Sequence, residues 1–190
     1  MQLLDGKKLA NTIKGEIKEE VGRWVEAGNR PPHLAAVLVG EDPASAVYVR
    51  NKIKVCDAVG FDSSLIRLPK ETTEDEVLSA VKKLNEDPAI DGFIVQLPLP
   101  DHINEDRVNL AIDPKKDVDG FHPVNVGRMT LGLSSYLPAT PQGILYFLDR
   151  YKITTEGKRC VIVGRSNIVG RPMSILLSSK ASYGNAITIG

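Results

Sequence analysis

Cysteine is scarce in this sequence, and neither an excess charge nor a long apolar run is present. Among 190 residues there are only Cys56 and Cys160, too few for a disulfide framework, so we expect a reducing compartment. Lysine and arginine number 24 and aspartate and glutamate 24, and this balance argues against a nucleic-acid or anionic-membrane binder. Because apolar runs are short and Met1–Lys8 lacks a signal-peptide core, we expect a cytoplasmic protein.

Apolar content, by contrast, is ample for a folded protein. The apolar fraction is 42% and the charged fraction 25%, values typical of globular and not of disordered chains. A chain of this length can bury a proper core as one domain or as two small ones.

The first hundred residues alternate between strand and helix patterns. Continuous apolar runs such as Leu34–Val39 are typical of strands buried on both faces of a parallel sheet. The order strand, helix, strand, helix, strand predicts right-handed crossovers with helices covering the sheet. The predicted helices are 9–25, 43–60 (capped by Asp42) and 73–88 (opened by a Thr73–Glu76 capping box), and the predicted strands are 34–39, 63–68 and 91–97.

The rest of the chain predicts a second, shorter α/β pattern. After a short helix over 107–112, the stretch 113–141 is rich in proline and glycine and reads as loops and a domain link. Thr140 and Pro141 are a suitable N-cap and first-turn pair for a helix to Tyr151. A strand (160–163), a glycine-bounded turn (164–170), a helix (172–179) and a strand (186–189) follow. We therefore expect an α/β protein, with a parallel-sheet catalytic domain at 1–139 and the first half of a Rossmann-type NAD(P)-binding domain at 140–190.

Lys52 is the charge in the middle of the apolar face of the 43–60 helix. On a wheel of about 100° per residue, Tyr48 and Val55 fall on the same arc, and Ser45 lies two turns before the lysine. Such a lysine either extends its amine to the rim or sits desolvated in a cleft, where it can act as a base or an acid.

Gln96 is polar at the carboxyl end of a strand that otherwise reads as core. Ligands bind outside the carboxyl ends of strands in open parallel sheets, and the Lys52 helix begins just past another such end. The two side chains could line one cleft, although a glutamine that merely ends a strand is an equal alternative.

Two further segments could bind ligands. Asp117 and Asp119 precede Gly120 in a pattern that lacks the remaining ligands of a calcium loop, which leaves a carboxylate for an amino group or a plain turn. Gly164 to Gly170 joins a strand to a helix, as in dinucleotide sites, without the strict glycine spacing. Arg165 could pair with a 2′-phosphate and so favour NADP over NAD, or be a solvated residue. The histidines show no metal-ligand spacing, and Cys56 reads as a packed thiol.

Five ordered segments together resemble the bifunctional methylenetetrahydrofolate dehydrogenase/methenyltetrahydrofolate cyclohydrolases. They span essentially the whole chain and are Val39–Lys52, Gly92–Pro100, Lys116–Gly127, Pro138–Gly143 and Val163–Pro172. The resemblance implies NADP-dependent oxidation of 5,10-methylenetetrahydrofolate to the methenyl compound, followed by hydrolysis to 10-formyltetrahydrofolate. It also implies a homodimer without a metal, in the one-carbon metabolism that serves purine, methionine and histidine synthesis.

The same resemblance assigns roles to particular residues. It implies that Lys52 is the catalytic lysine, that Tyr48 packs on the folate, that Gln96 hydrogen-bonds the lysine and that Asp119 holds the amino edge of the pterin. Ser45, Leu97 and Pro98 match segments that support or line the folate cleft. The cofactor-binding positions implied are Thr140, Gly164, Arg165, Ser166, Ile168, Val169 and Gly170.

Other interpretations stay open. Family members continue for roughly another hundred residues, so the chain is expected to be C-terminally truncated, and a folate-binding fragment without turnover is one alternative. A dehydrogenase-only member is a second, against which Lys52 and Gln96 together argue. An unrelated dehydrogenase of similar architecture would not account for Lys52, Gln96 and Asp119 together.

Overall fold

The computed structural model describes residues 3–179 and 188–189. The chain divides into two compact units. The sheet unit is Lys7–Lys116, and the second unit is Met1–Gly6 with Asp117–Gly190. Over the described residues, no helix combines the length and apolarity that crossing a membrane requires.

A parallel three-stranded sheet organises the sheet unit, in the order β2-β1-β3. The central strand pairs with one neighbour from His33 opposite Asp62 and with the other from Leu34 opposite Gly92. The predicted parallel sheet with alternating helices is therefore confirmed. Its elements are α1 (Gly6–Glu26), β1 (His33–Val39), α2 (Pro43–Val59), β2 (Asp62–Leu68), α3 (Glu74–Glu86), β3 (Gly92–Val95) and α4 (Glu105–Ala111).

Burial on the sheet explains the apolar runs. Val37 and Phe93 are fully buried, and Val77, Val81 and Val108 from α3 and α4 pack in the same cluster. Burying each such side chain contributes about 1.5–3 kcal/mol relative to leaving it exposed. Both faces of β1 are covered, which is why its sequence is continuously apolar.

The predicted helix caps are present. Asp42 Oδ1 accepts a 2.7 Å hydrogen bond from the Ser45 N–H at the start of α2, and Gly60 ends that helix with a φ of 87°. At α3, Thr73 Oγ1 accepts from the Glu76 N–H while the Glu76 carboxylate accepts from the Thr73 N–H. These local bonds fix where each helix begins or ends.

The second unit contains a helix that the sequence pattern did not predict. The stretch 113–141 was expected to be loops, but α5 spans Pro123–Thr130. His122 Nδ1 accepts from the Val124 N–H, so a histidine N-cap and a first-turn proline start the helix despite the surrounding glycines. The other elements of this unit are α6 (Ala139–Arg150), β4 (Arg159–Cys160), α7 (Gly170–Ser178) and β5 (Thr188–Ile189), with β4 and β5 parallel.

Predicted boundaries at α6, β3 and β4 were wrong. Thr140 is not an N-cap, because α6 already begins at Ala139 and the Gln142 N–H bonds to the Pro138 carbonyl. β3 ends at Val95 and not at 97. Pro98, three residues on, has no N–H with which to continue the hydrogen bonding of the strand. β4 ends at Cys160 and not at 163, where Val163 is 98% exposed. Residues 186–187 of the last predicted strand lie outside the described residues.

Acid should weaken the sheet unit through Asp91. Both Asp91 carboxylate oxygens accept from Arg30, at 2.7 and 2.9 Å, and one also accepts from the His33 N–H at 2.8 Å. The Arg30 guanidinium in particular lowers the pKa of Asp91 below its ordinary 3.8. The carboxylate therefore stabilises the fold at neutral pH, and this contribution is lost as pH falls below about 4.

We expect Asp91→Asn to lower the urea midpoint at pH 7 and to flatten its decline between pH 6 and 3. The matched control is Asp101→Asn, which changes an exposed aspartate in a turn. Equal pH profiles for Asp91→Asn and the parent chain would contradict this account.

Candidate functional site

The carboxyl edge of the parallel sheet brings α2 and the end of β3 together. The Gln96 N–H donates to the Val37 carbonyl at 2.9 Å, so Gln96 follows β3 and lies beside the last residues of β1. α2 begins at Pro43, only four residues after β1 ends at Val39. Since parallel strands end at the same edge, the start of α2 and the residues after Val95 share that edge.

One backbone carbonyl ties these two segments to each other. The Leu97 carbonyl accepts from Gln96 Nε2 at 2.7 Å, and the Ser45 hydroxyl donates to it at 3.5 Å. Ser45 is only 3% exposed, so this contact lies inside the unit. We call the region formed by Ser45, Lys52, Gln96 and Leu97 the α2–β3 site.

The amide oxygen of Gln96 is the unusual atom in the α2–β3 site. Within the described part of the chain, Gln96 Oε1 is buried and has no hydrogen-bond partner. Buried acceptors are nearly always paired, since an unpaired one costs about 1–3 kcal/mol. An acceptor held ready by the Nε2 bond is suited to a donor from a ligand or from a neighbouring side chain.

Lys52 lies where the helical wheel places it. It is half-buried, and Ser45, Val49, Cys56 and Val59 on the same side of α2 are buried. The buried arc is narrower than the sequence predicts, because Tyr48 and Val55 at its margin are exposed, Tyr48 by 64%. An exposed phenol ring one turn before the lysine is free to stack on a flat ligand.

The Asp-Val-Asp-Gly segment lies in the second unit, and its two carboxylates differ. Asp117 is 2% exposed, and its Oδ2 accepts from the His122 N–H and from Asn125 Nδ2, both at 2.8 Å. Asp119 is half-buried in the turn. Gly120 has a φ of 70°, and a Cβ there would lie 2.8 Å from the Tyr136 carbonyl oxygen, so glycine is required.

The glycine turn before α7 is closed on itself. A Cβ at Gly170 would lie 2.4 Å from the Gly164 carbonyl oxygen, so only glycine allows the two ends of the turn to meet. Ser166 Oγ accepts from the Val169 and Gly170 N–H groups, at 3.1 and 3.4 Å. The Arg165 side chain is exposed. This turn leads into a helix N-terminus, a geometry that suits a phosphate group.

The histidines and Cys56 have structural surroundings. His33 Nε2 pairs with Ser64 Oγ at 2.8 Å, and His102 Nε2 with the Thr72 carbonyl at 2.9 Å. Burial raises the pKa of the Cys56 thiol, as expected for a packed and unreactive cysteine. Across residues 3–179 and 188–189, no three histidine, cysteine or acidic side chains are grouped to hold a metal ion.

The sequence reading missed three polar residues. Asp117 and its partner Asn125 were given no separate role. The pattern that could have indicated them is an aspartate followed by a histidine and an asparagine near the start of a helix. The sequence reading also passed over Ser135, whose hydroxyl oxygen is buried without a hydrogen-bond partner among the described residues. Nothing in the local sequence distinguishes Ser135 from Ser134.

Two family models match the chain. The tetrahydrofolate dehydrogenase/cyclohydrolase catalytic domain matches residues 4–119. The NAD(P)-binding domain of the same family matches residues 138–189.

Curated relatives and solved structures point the same way. The bifunctional protein FolD of Flavobacterium johnsoniae is 59% identical over 186 residues, which are 98% of this chain and 63% of that protein. A crystal structure of the FolD methylenetetrahydrofolate dehydrogenase/cyclohydrolase from Campylobacter jejuni superposes with a TM-score of 0.93 at 45% identity, covering 100% of this chain and 66% of the other. A Trypanosoma brucei homologue, complexed with NADP cofactor and inhibitor, has a TM-score of 0.89 at 33% identity, covering 97% and 62%. The chain thus spans 63% of the length of the Flavobacterium relative.

The closed glycine turn generates a stability prediction. Gly170→Ala should destabilise the second unit by about 1–3 kcal/mol, because the added methyl group meets backbone atoms that cannot move independently. Gly127→Ala, in the open face of α5, should be neutral or stabilising by up to about 1 kcal/mol. Urea unfolding of both variants measures the difference, and equal midpoints would count against the close approach.

Proposed function

The chain belongs to the tetrahydrofolate dehydrogenase/cyclohydrolase family, and from this premise we propose that it acts in one-carbon folate metabolism as a bifunctional enzyme. The first reaction oxidises 5,10-methylenetetrahydrofolate to 5,10-methenyltetrahydrofolate with NADP. The second hydrolyses the methenyl compound to 10-formyltetrahydrofolate. Bifunctional relatives at 56–59% identity support both activities.

The observation that carries the proposal is the Gln96 oxygen of the α2–β3 site, which lacks a partner within residues 3–179 and 188–189. It lies at the sheet edge where ligands bind in parallel α/β proteins, beside the helix that bears Lys52. A structural glutamine would be expected to use its oxygen as well as its amide group. An open acceptor at the edge where α2, the helix that bears the half-buried Lys52, begins favours a catalytic role over a glutamine that only ends a strand.

Lys52 and Gln96 would serve chiefly the hydrolytic reaction. Water attacks the methenyl carbon, and the Lys52 amine takes one of its protons. The bond between that carbon and N5 of the folate then breaks as the remaining hydroxyl proton of the adduct passes to N5, which leaves the formyl group on N10. Gln96 Oε1, which has no hydrogen-bond partner among the described residues, would accept a hydrogen bond from Lys52 Nζ once the folate is bound and so hold the lysine in place. Tyr48 would pack on the folate ring, and Ser45, Leu97 and Pro98 would shape the cleft around it.

The oxidative reaction needs alignment more than proton transfer. When bound, NADP supplies the acceptor for the hydride that leaves the methylene carbon. The residues of the glycine turn fit a dinucleotide, because Gly164 and Gly170 close the backbone and leave the Arg165 side chain exposed toward solvent. Arg165 would bind the 2′-phosphate and so favour NADP over NAD. The positions proposed to bind the cofactor are Thr140, Gly164, Arg165, Ser166, Ile168, Val169 and Gly170.

In the second unit, Asp119 is the proposed recognition group for the pterin. Its carboxylate would accept hydrogen bonds from the amino edge of the ring, the role suited to a half-buried acceptor in a fixed turn. No metal is needed for this recognition or for the proton transfers.

We propose a folate-binding domain over 1–139 and the start of a cofactor domain over 140–190, which the matches at 4–119 and 138–189 support. We also propose a cytoplasmic homodimer that supplies one-carbon units to purine, methionine and histidine synthesis.

Hydrolysis of methenyltetrahydrofolate tests the catalytic assignment, because it needs no dinucleotide and is followed directly by absorbance. Lys52→Met should lower its rate about 100-fold or more, the usual contribution of a positioned acid/base. Lys54→Met is the matched control, since Lys54 lies two residues away on the exposed side of α2 and should leave the rate unchanged.

The oxidation of methylenetetrahydrofolate is measured in parallel with NADP and with NAD. Hydrolysis that survives Lys52→Met would overturn the assignment of the lysine. Oxidation without hydrolysis in the parent chain would identify a dehydrogenase only, and folate binding without either reaction would identify a non-catalytic fragment.

A further inference from the structure

A buried carboxylate that the proposed mechanism does not use lies next to the proposed pterin-binding residue. Asp117 is 2% exposed, and its Oδ2 accepts two hydrogen bonds of 2.8 Å, from the His122 N–H and from Asn125 Nδ2. Both donor residues are themselves buried, His122 at 8% and Asn125 at 3% exposure. Burying a carboxylate costs free energy unless it is hydrogen-bonded, so we ask what these two hydrogen bonds hold in place.

Asp117 closes the turn that carries Asp119 in two ways. Its backbone carbonyl accepts from the Gly120 N–H at 3.2 Å, which forms a turn with Asp119 at the third position. Its side chain reaches beyond the turn to the N–H of His122. Backbone and side chain of the same residue therefore enclose Asp119 within a small hydrogen-bonded loop.

The turn is also confined from the other side. A Cβ on Gly120 would lie 2.8 Å from both the Tyr136 carbonyl oxygen and the Leu137 carbonyl carbon. The backbone after Asp119 thus packs directly on another segment of the same unit. With Asp117 on one side and this packing on the other, the main chain at Asp119 has little room to move.

The Asn125 bond extends the loop to a helix. Asn125 lies in the first turn of α5, whose N-cap is His122 and whose first residue is Pro123. A carboxylate near a helix N-terminus is favoured by the helix dipole, and here it also binds a side chain of that helix. The turn is therefore attached to a rigid element of the second unit.

We infer that Asp117 is a positioning residue that holds the Asp119 carboxylate in the orientation that selects an amino-bearing ring. This inference deepens the proposed function and rests on the role proposed for Asp119. Asp117 itself would touch no ligand. It acts by keeping a neighbouring carboxylate fixed, so its loss should reduce ligand selectivity more than ligand binding as a whole.

Both hydrogen bonds end on the same oxygen, which provides a conservative variant. In Asp117→Asn the amide oxygen can replace Oδ2 and accept from both donors without the charge. In Asp117→Ala both buried donors lose their acceptor, and the loop closure is lost. The asparagine variant should therefore rescue what the alanine variant loses.

The experiment compares the binding of tetrahydrofolate and of its 2-desamino analogue to the full chain by calorimetry. The parent chain should prefer tetrahydrofolate by about tenfold or more, the value of a hydrogen bond to a charged group. Asp119→Ala should abolish this preference. Asp117→Ala should reduce it to within about threefold, while Asp117→Asn should keep most of it.

Leu145→Ala is the matched control for a general loss of stability. Leu145 is 3% exposed in the apolar cluster of the same unit, and its truncation should lower the urea midpoint without changing the ratio of the two affinities. If Asp117→Ala does not fold, Asn125→Ala, which removes one of the two donors, should lower the ratio by a smaller factor.

Three results would overturn the inference. A parent chain that binds no tetrahydrofolate would reject the proposed function and this inference with it. A parent chain that discriminates, with Asp117→Ala or Asn125→Ala discriminating equally well, would reject this inference alone. An equal loss of discrimination in Leu145→Ala would assign the effect to stability and not to positioning.

Discussion

Hydrogen bonding along the central strand β1 determines which segments of the sheet unit meet at the carboxyl edge of the sheet. Because β1 pairs in parallel with both neighbours, the ends of β1 and β3 share one edge, and the chain after each end must turn there. One exit becomes α2, capped by Asp42, and the other becomes the Gln96–Pro98 segment. The Leu97 carbonyl then joins the two exits by accepting from Gln96 and Ser45. Because Ser45 fixes the start of α2 at this edge, the position of Lys52 two helical turns later is fixed as well.

Two buried polar groups show how the chain separates binding from support. Gln96 uses its amide nitrogen to fix its own orientation, while its oxygen has no partner in the described parts of the chain. Asp117 has two donors on one oxygen and holds a turn closed. An unpaired acceptor carries an energetic cost that a ligand or a reacting lysine can relieve, whereas a paired one stabilises the fold. We therefore propose a binding role for the α2–β3 site and a supporting role for the Asp117 loop.

Local rules predicted much of the fold and part of the site. Capping residues such as Asp42 and Thr73, and the apolar run of β1, act through neighbours in sequence, so the helix starts and the buried strand were predictable. α5 was not, because its N-cap is a histidine and its interior holds Gly127. The helical wheel placed Lys52 on the buried side of α2, but the exposure of Tyr48 depends on tertiary packing. The unpaired state of Gln96 Oε1 depends on contacts across strands, which no local pattern contains.

We propose that Gln96 Oε1 is held open for the reaction of a folate at the α2–β3 site. The most direct measurement is the ¹³Cδ chemical shift of Gln96 during titration with tetrahydrofolate, with Gln142 on α6 as the reference signal. Because the Gln96 oxygen would gain a hydrogen bond, we expect a change in the Gln96 signal that saturates with ligand occupancy. This change should be reduced in Lys52→Met and absent at Gln142. A Gln96 signal that stays unchanged while the ligand binds would contradict it.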